Sequence, residues 1–266
     1  MGIEFPESEA LRLCEHFFEF SGRAGLTVRG LDVPDEKTAA QFMNAVEKRK
    51  DTPLQYILGS WYFDGMELSV GEGVLIPRED TVALVETAHE ALKDIKEPKI
   101  LDLCAGTGAV GLALANRLPN AEVICVELSD AAAKYLDENI EKYGGGRVRR
   151  VKADVLLSPP AELCEKRFDM IVSNPPYIPT DDIKTLSDDV KREPFMALDG
   201  GGDGLLFYRS ICEKYLPLLW SGGHLAVEIG IGQAEDVSRI FVRAGLSDVR
   251  VNNDINGKQR VIIGTF

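Results

Sequence analysis

No apolar run in this 266-residue chain approaches the roughly 20 residues a helix needs to cross a bilayer. The start, Met1-Gly2-Ile3-Glu4-Phe5-Pro6, has neither the charged lead nor the apolar centre of a signal peptide, so a cytoplasmic protein is expected. Histidine is scarce: His16, His89 and His224 stand far apart and form no metal-ligand motif. The five cysteines show no Cys-x-x-Cys spacing, which argues against a zinc module and for reduced, structural thiols. Positive charge is also in short supply. Thirty Lys and Arg against 43 Asp and Glu leave a net charge of −13, which repels a phosphate backbone and disfavours long nucleic acid as a partner. The two short basic stretches, Lys48-Arg49-Lys50 and Arg147 to Lys152, read as solvated faces.

What is present is an ordinary globular composition, 45% hydrophobic and 27% charged, in a chain long enough for one large domain and one small one. Residues 1–58 read as an accessory helical domain. Leu11, Cys14 and Phe18 recur on one face of a first helix that Ser21-Gly22 ends, and a glycine-rich loop is expected next. Pro34-Asp35 opens a second helix with Ala39, Phe42, Met43 and Val46 toward a partner, and Asp51-Thr52-Pro53 stops it. Residues 59–76 read as a hairpin linker turning at Asp64-Gly65.

From residue 77 to 266 a single large domain is expected. After a helix near residues 80–93, strands are predicted at Lys99–Leu103, Glu122–Glu127, Val148–Val151, Asp169–Ser173, Gly223–Ile229, Asp248–Asn252 and Arg260–Thr265. Helical patterns between the first six imply an α/β fold, a doubly wound and mostly parallel seven-stranded sheet. The link from Asn253 to Lys258, with Asn256-Gly257 as its turn, is too short for a crossover, so the last pair must be antiparallel.

Two stretches carry chemistry. Asp102-Leu103-Cys104-Ala105-Gly106-Thr107-Gly108 runs from the first strand into a helix, with Gly111 completing G-x-G-x-x-G, and Glu127 ends the second strand where a ribose-binding carboxylate is expected. This points to a nucleoside cofactor. The other stretch is Asn174-Pro175-Pro176-Tyr177 after the fourth strand. Pro175 pushes Asn174 toward an extended conformation, and neither proline has an N–H for a neighbouring strand. An amide side chain, free carbonyls and an aromatic ring there suit a flat polar group that donates N–H. Taken alone, the stretch is equally a strand followed by a Pro-Pro turn. S-adenosyl-L-methionine is preferred to NAD as the cofactor, because Asp102 can meet an amino or cationic group, Asp154 can accept from an adenine amino group, and the Asn-Pro-Pro-Tyr turn faces the same crevice.

With these residues in view, the chain resembles the HemK/PrmC family of glutamine N5-methyltransferases that modify peptide chain release factors. The likeness rests on Pro53-Leu54-Gln55-Tyr56, Ile76-Pro77-Arg78, Asp102 to Gly108, Asn174 to Tyr177, Glu193-Pro194, Asp203-Gly204-Leu205 and Glu228-Ile229-Gly230. One departure is Cys104, where the family usually has the first glycine of its loop.

The resemblance implies a methyltransferase-type sheet with S-adenosyl-L-methionine held by Asp102, Cys104, Ala105, Gly106, Thr107, Gly108, Glu127, Asp154, Val155 and Asn174. It implies the Gly-Gly-Gln glutamine of class I release factors as substrate, bound by Asn174, Pro175, Pro176 and Tyr177. Asn174, Pro175 and Tyr177 would be the catalytic set: the Asn174 side-chain oxygen and the Pro175 carbonyl accept the amide N–H groups, and Tyr177 packs on the amide plane. Neither a metal nor a strong general base is called for. A ribosomal-protein glutamine methyltransferase, an adenine N6-methyltransferase and an NAD-dependent oxidoreductase stay open as alternatives at this level.

Overall fold

The computed structural model describes residues 6–30 and 32–266, and the chain divides into two compact units, residues 1–60 and 61–266. The described residues of the smaller unit form four helices: α1 (Pro6–Phe18), α2 (Gly22–Arg29), α3 (Glu36–Lys48) and α4 (Leu54–Leu58). Its core is thin, with Leu13, Ala45 and Leu54 buried and Phe17, Phe42, Ile57 and Leu58 packed around them. An ion pair reinforces it: Arg49 grips Glu9 with two hydrogen bonds, Nε to Oε2 at 2.6 Å and Nη2 to Oε1 at 2.9 Å. Helix α3 starts as its sequence predicts, with Asp35 accepting from the Thr38 N–H as N-cap.

Two expectations fail in this unit. The stretch around Gly22 and Gly25 is helical, not a loop. Tertiary partners override its poor helix propensity: the Gly22 N–H donates to Glu15 Oε1, and Arg29 Nη1 donates to the Phe18 and Glu19 carbonyls that end α1. Met43 and Val46 do not face a partner within the unit; they are 63% and 40% exposed, and Ala45 takes the buried position.

The hairpin β1 (Ser60–Phe63) and β2 (Met66–Ser69) starts at the last residue of the smaller unit and otherwise belongs to the larger one. Asp64 and Gly65 both have positive φ, 45° and 82°, as a two-residue turn matched to strand twist requires. Phe63, Met66 and Leu68 of the hairpin are buried in the core of this unit. Helix α5 (Val82–Leu92) follows. Then come β3 (Lys99–Leu103), α6 (Ala109–Arg117), β4 (Glu122–Glu127), α7 (Asp130–Tyr143), β5 (Val148–Lys152), β6 (Phe168–Ser173), β7 (Leu219–Glu228), β8 (Ser247–Asn253) and β9 (Gln259–Thr265).

The seven strands from β3 onward form one sheet in the order β5-β4-β3-β6-β7-β9-β8, parallel except that β9 runs antiparallel to both β7 and β8. The doubly wound, mostly parallel sheet expected from the sequence is therefore present. Its central strands β3, β4 and β6 are apolar and buried over most of their length because both faces are covered, whereas the edge strands β5 and β8 are largely polar and exposed. Ile100, Val123, Met170 and Ala226 point into one core, while their neighbours Leu101, Ile124, Ile171 and Leu225 point into the other.

The crossover between β6 and β7 departs from a single helix. It is a run of short helical turns, among them Asp188–Lys191, Phe195–Leu198 and Leu206–Ser210, that carries Glu193 and Phe195 to the carboxyl end of the sheet. Strand order reverses between β3 and β6, and the crevice at such a reversal is where open α/β sheets bind ligands.

Candidate active site

A cavity of about 360 Å³ opens at the carboxyl ends of β3, β4 and β6. Its floor is the turn between β3 and α6. Gly106 has φ 57°, and a Cβ added there would meet only Val74 at 3.9 Å, so bare backbone faces the cavity. Gly111 serves packing instead: a Cβ would come within 2.8 Å of Cys125 Sγ and 2.9 Å of Asp102 Oδ2. Cys104, the departure noted in the sequence, also sits at positive φ, 59°.

Three carboxylates border this floor. Asp102 is 1% exposed, and its Oδ2 accepts from the Gly111 N–H at 2.9 Å, satisfying one of the unpaired N–H groups in the first turn of α6. Burial pushes its pKa up to about 7, with the charge of Glu127 adding to the rise. Glu127 accepts from the Gly106 N–H through Oε2 and from the Ser129 N–H through Oε1, at 2.8 and 2.7 Å. Asp154 Oδ1 accepts from the Leu156 N–H at 2.8 Å, and its other oxygen takes no hydrogen bond from the described residues. The described walls carry Asp102, Glu127, Asp154 and Asp199 against the one cation Arg78, which is paired with buried Glu193. Such a wall attracts a cation and repels a diphosphate.

The opposite side of the cavity is the Asn-Pro-Pro-Tyr turn. Asn174 donates through Nδ2 to Thr81 Oγ1 at 3.1 Å, which leaves Oδ1 as its free acceptor. The main-chain carbonyls of Asn174 and Pro175 accept no hydrogen bond from the described residues.

Of the residues singled out in the sequence, Asp102, Cys104, Ala105, Gly106, Thr107, Glu127, Asp154, Val155, Asn174 and Pro176 line this one cavity; Gly108, Pro175 and Tyr177 do not. Tyr177 was expected on the plane of a bound amide, but its hydroxyl contacts Glu228 Oε1 at 3.5 Å and its carbonyl accepts from Gln233 Nε2 at 2.9 Å. Burial of the ring raises its pKa, since the phenolate would be poorly solvated there.

The sequence reading missed several residues. Thr81 is one, and buried Asn139 is another: Asn139 donates through Nδ2 to the Ser69 and Thr107 carbonyls and so ties the hairpin to the glycine-rich turn. Arg78, Glu193 and Glu228 stood inside blocks of the family resemblance, but no local pattern said what they touch.

Residues 80–205 match the family model described as the methyltransferase small domain. The chain is 43% identical over 230 residues to the release factor glutamine methyltransferase of Clostridium botulinum, covering 85% of this chain and 81% of that protein. It is 38% identical over 265 residues to the release factor glutamine methyltransferase of Moorella thermoacetica, covering 98% and 92%. Among solved structures, the hMettl16 catalytic domain in complex with MAT2A 3'UTR hairpin 6 is similar at a TM-score of 0.62 and 14% identity, covering 87% of this chain and 82% of that one; at that identity the likeness is one of fold alone.

Proposed function

The chain belongs to the release factor glutamine methyltransferase family, and from that premise we propose that it transfers a methyl group from S-adenosyl-L-methionine to the side-chain amide nitrogen (N5) of the glutamine in the Gly-Gly-Gln motif of class I peptide chain release factors. The observation that carries the reading is one cavity with two chemically distinct sides, an acidic glycine-lined one and the Asn174–Pro176 turn. When bound, S-adenosyl-L-methionine supplies an electrophilic methyl on a sulfonium. The residues present fit such a group: the walls are acidic, the Gly106 backbone is open, and Asp154 has an oxygen to spare. Glu127 is assigned to the ribose hydroxyls, Asp154 and Val155 to the adenine, and Asp102 with the turn from Cys104 to Thr107 to the cationic amino-acid end.

A carboxamide nitrogen is a poor nucleophile because its lone pair is delocalised into the carbonyl. Geometry therefore has to supply most of the catalysis. Asn174 Oδ1 is assigned to accept one N–H and the Pro175 carbonyl the other, since that carbonyl accepts no hydrogen bond from the described residues even though Pro175 does not line the cavity; the two contacts polarise the amide and turn its nitrogen toward the cavity. Pro176 walls the site, and Tyr177 is assigned to bracing the turn through Glu228 and Gln233.

The deciding assay offers labelled S-adenosyl-L-methionine with a class I release factor, a ribosomal protein and DNA side by side. Label is expected on the release factor and lost when its Gly-Gly-Gln glutamine is replaced. Faster labelling of DNA would overturn the assignment. Asn174→Ala should lower turnover about 100-fold, the scale for one preorganised polar contact, with a much smaller change in the dissociation constant for S-adenosyl-L-methionine.

A further inference from the structure

In the proposed reaction, the side chain of Asn174 is useful in only one of its two orientations. Oδ1 can accept the substrate N–H, whereas half a turn about the Cβ–Cγ bond would present the NH2 group instead. Its neighbour Thr81 does not by itself choose between them, because a hydroxyl can accept from Nδ2 or donate to Oδ1.

Behind Thr81 lies a group with no part in the chemistry so far. Glu228, at the end of β7, is 1% exposed. Its Oε1 receives the long 3.5 Å contact from the Tyr177 hydroxyl, and its Oε2 has no hydrogen bond of regular geometry. Thr81, a residue 3% exposed, stands next to it without a hydrogen bond of regular geometry to the carboxylate, and donation from its hydroxyl would favour the ionised form. Arg260 and Asp80 are the other charges that face it, and Arg260 is itself engaged by Asp80 at 2.9 Å and Asp254 at 3.5 Å. An unpartnered buried carboxylate oxygen is costly and calls for a role.

We propose that Glu228 is a positioning residue: its carboxylate takes the hydroxyl hydrogen of Thr81, leaves Thr81 Oγ1 only an acceptor toward the amide, and so holds Asn174 with Oδ1 toward the substrate. The inference rests on the reading of Asn174 as the residue that holds the substrate amide. It has a consequence in pH. Burial raises the Glu228 pKa to about 7, with Asp80 adding to the rise and Thr81, Arg260 and Tyr177 opposing it. A protonated Glu228 can donate to Thr81, which is then free to donate to Oδ1, and the amide loses its preferred orientation. Turnover should therefore fall as pH drops through about 7.

The test measures kcat on release factor from pH 6 to 8.5, and calorimetric binding of S-adenosyl-L-methionine, for the full chain and four variants. Glu228→Gln and Thr81→Val should each lower kcat at pH 8 by about tenfold or more, with cofactor affinity within threefold of wild type. Glu228→Gln should also lose the acid limb of the kcat profile. Thr81→Ser, which keeps the hydroxyl, should recover at least half of the wild-type kcat. An inert Asn174→Ala beside unaffected Glu228→Gln and Thr81→Val would overturn this inference alone. So would equal losses of kcat in Thr81→Ser and Thr81→Val, or a parallel fall in cofactor affinity, since either marks a packing role. A fully active Asn174→Ala would overturn the reading beneath it.

Discussion

Cys104 is one of four non-glycine residues with positive φ among the described residues. At φ 59° it occupies the left-handed region, where a Cβ costs about 1–2 kcal/mol. Glycine would remove that cost and return about 0.5–1 kcal/mol of it as lost chain entropy. Cys104→Gly should accordingly leave stability unchanged or raise it by at most about 1 kcal/mol, while β-branched Cys104→Val should lower it by more than about 1 kcal/mol; urea unfolding of the two variants checks both. Asp102 shows the opposite compromise, a carboxyl kept in a buried place where ionising is costly. Its folded pKa, about 7, lies above the ordinary value of 3.8, so the native state holds the proton more tightly than the unfolded chain does. The stability this contributes is fully present below about pH 4 and is lost as pH rises through 7. Asp102→Asn, which can still accept from the Gly111 N–H, should raise Tm at pH 8 by at least about 2 °C and by less at pH 5. Thermal scans at the two pH values would read this directly, and a larger gain at pH 5 would contradict it.

Among elements, α1 and α3 are joined by an ion pair in a unit whose described residues bury three apolar side chains, Leu13, Ala45 and Leu54. Arg49 and Glu9 have side chains 6% and 21% exposed, so water does little to replace their contact. Removing one partner of a buried pair typically costs about 3–5 kcal/mol. Glu9→Ala should therefore speed amide hydrogen exchange throughout α1 and α3 while leaving β3 and β6 as protected as before. A uniform change across both units would show that the pair has no local role. The hairpin β1–β2 is better anchored. It adds Phe63, Met66 and Leu68 to the large core, Arg117 pairs with Asp64 at its turn, and Asn139 ties β2 to the glycine-rich turn.

On the scale of the whole molecule, the charge of −13 and the acidic cavity wall suit a cationic ligand, and we propose a partner recognised by shape and apolar contact, not a nucleic acid. The small helical unit is proposed as a second gripping surface for that partner, since the larger unit carries every residue lining the cavity. Deleting residues 1–52 should leave S-adenosyl-L-methionine binding intact and raise KM for intact release factor far more than KM for a short Gly-Gly-Gln peptide. Steady-state kinetics on both substrates decide it, and an equal loss on the two would mean that the small unit only stabilises the larger one.

The order of strands and helices, the antiparallel ending at Asn256-Gly257, the glycine-rich turn with Glu127 beyond it, and the Asn-Pro-Pro-Tyr turn were all legible from sequence, because each is a local demand of backbone and periodicity. Neighbouring residues alone settle whether a strand is apolar on both faces, as at Ile100 and Leu101, or whether a chain can continue past Pro175. What only the tertiary structure decided is which distant groups meet. Thr81 reaches Asn174 across 93 positions, and Tyr177 turns to Glu228 across 51. Helix α2 forms through Arg29 and Glu15 despite its glycines, and β9 inserts between β7 and β8. Such pairings follow from strand order and from which face of the sheet each crossover covers. Neither leaves a period or a motif in the sequence, so a buried Thr or Glu that orients a reacting side chain reads there as one more residue of a helix start or a strand end.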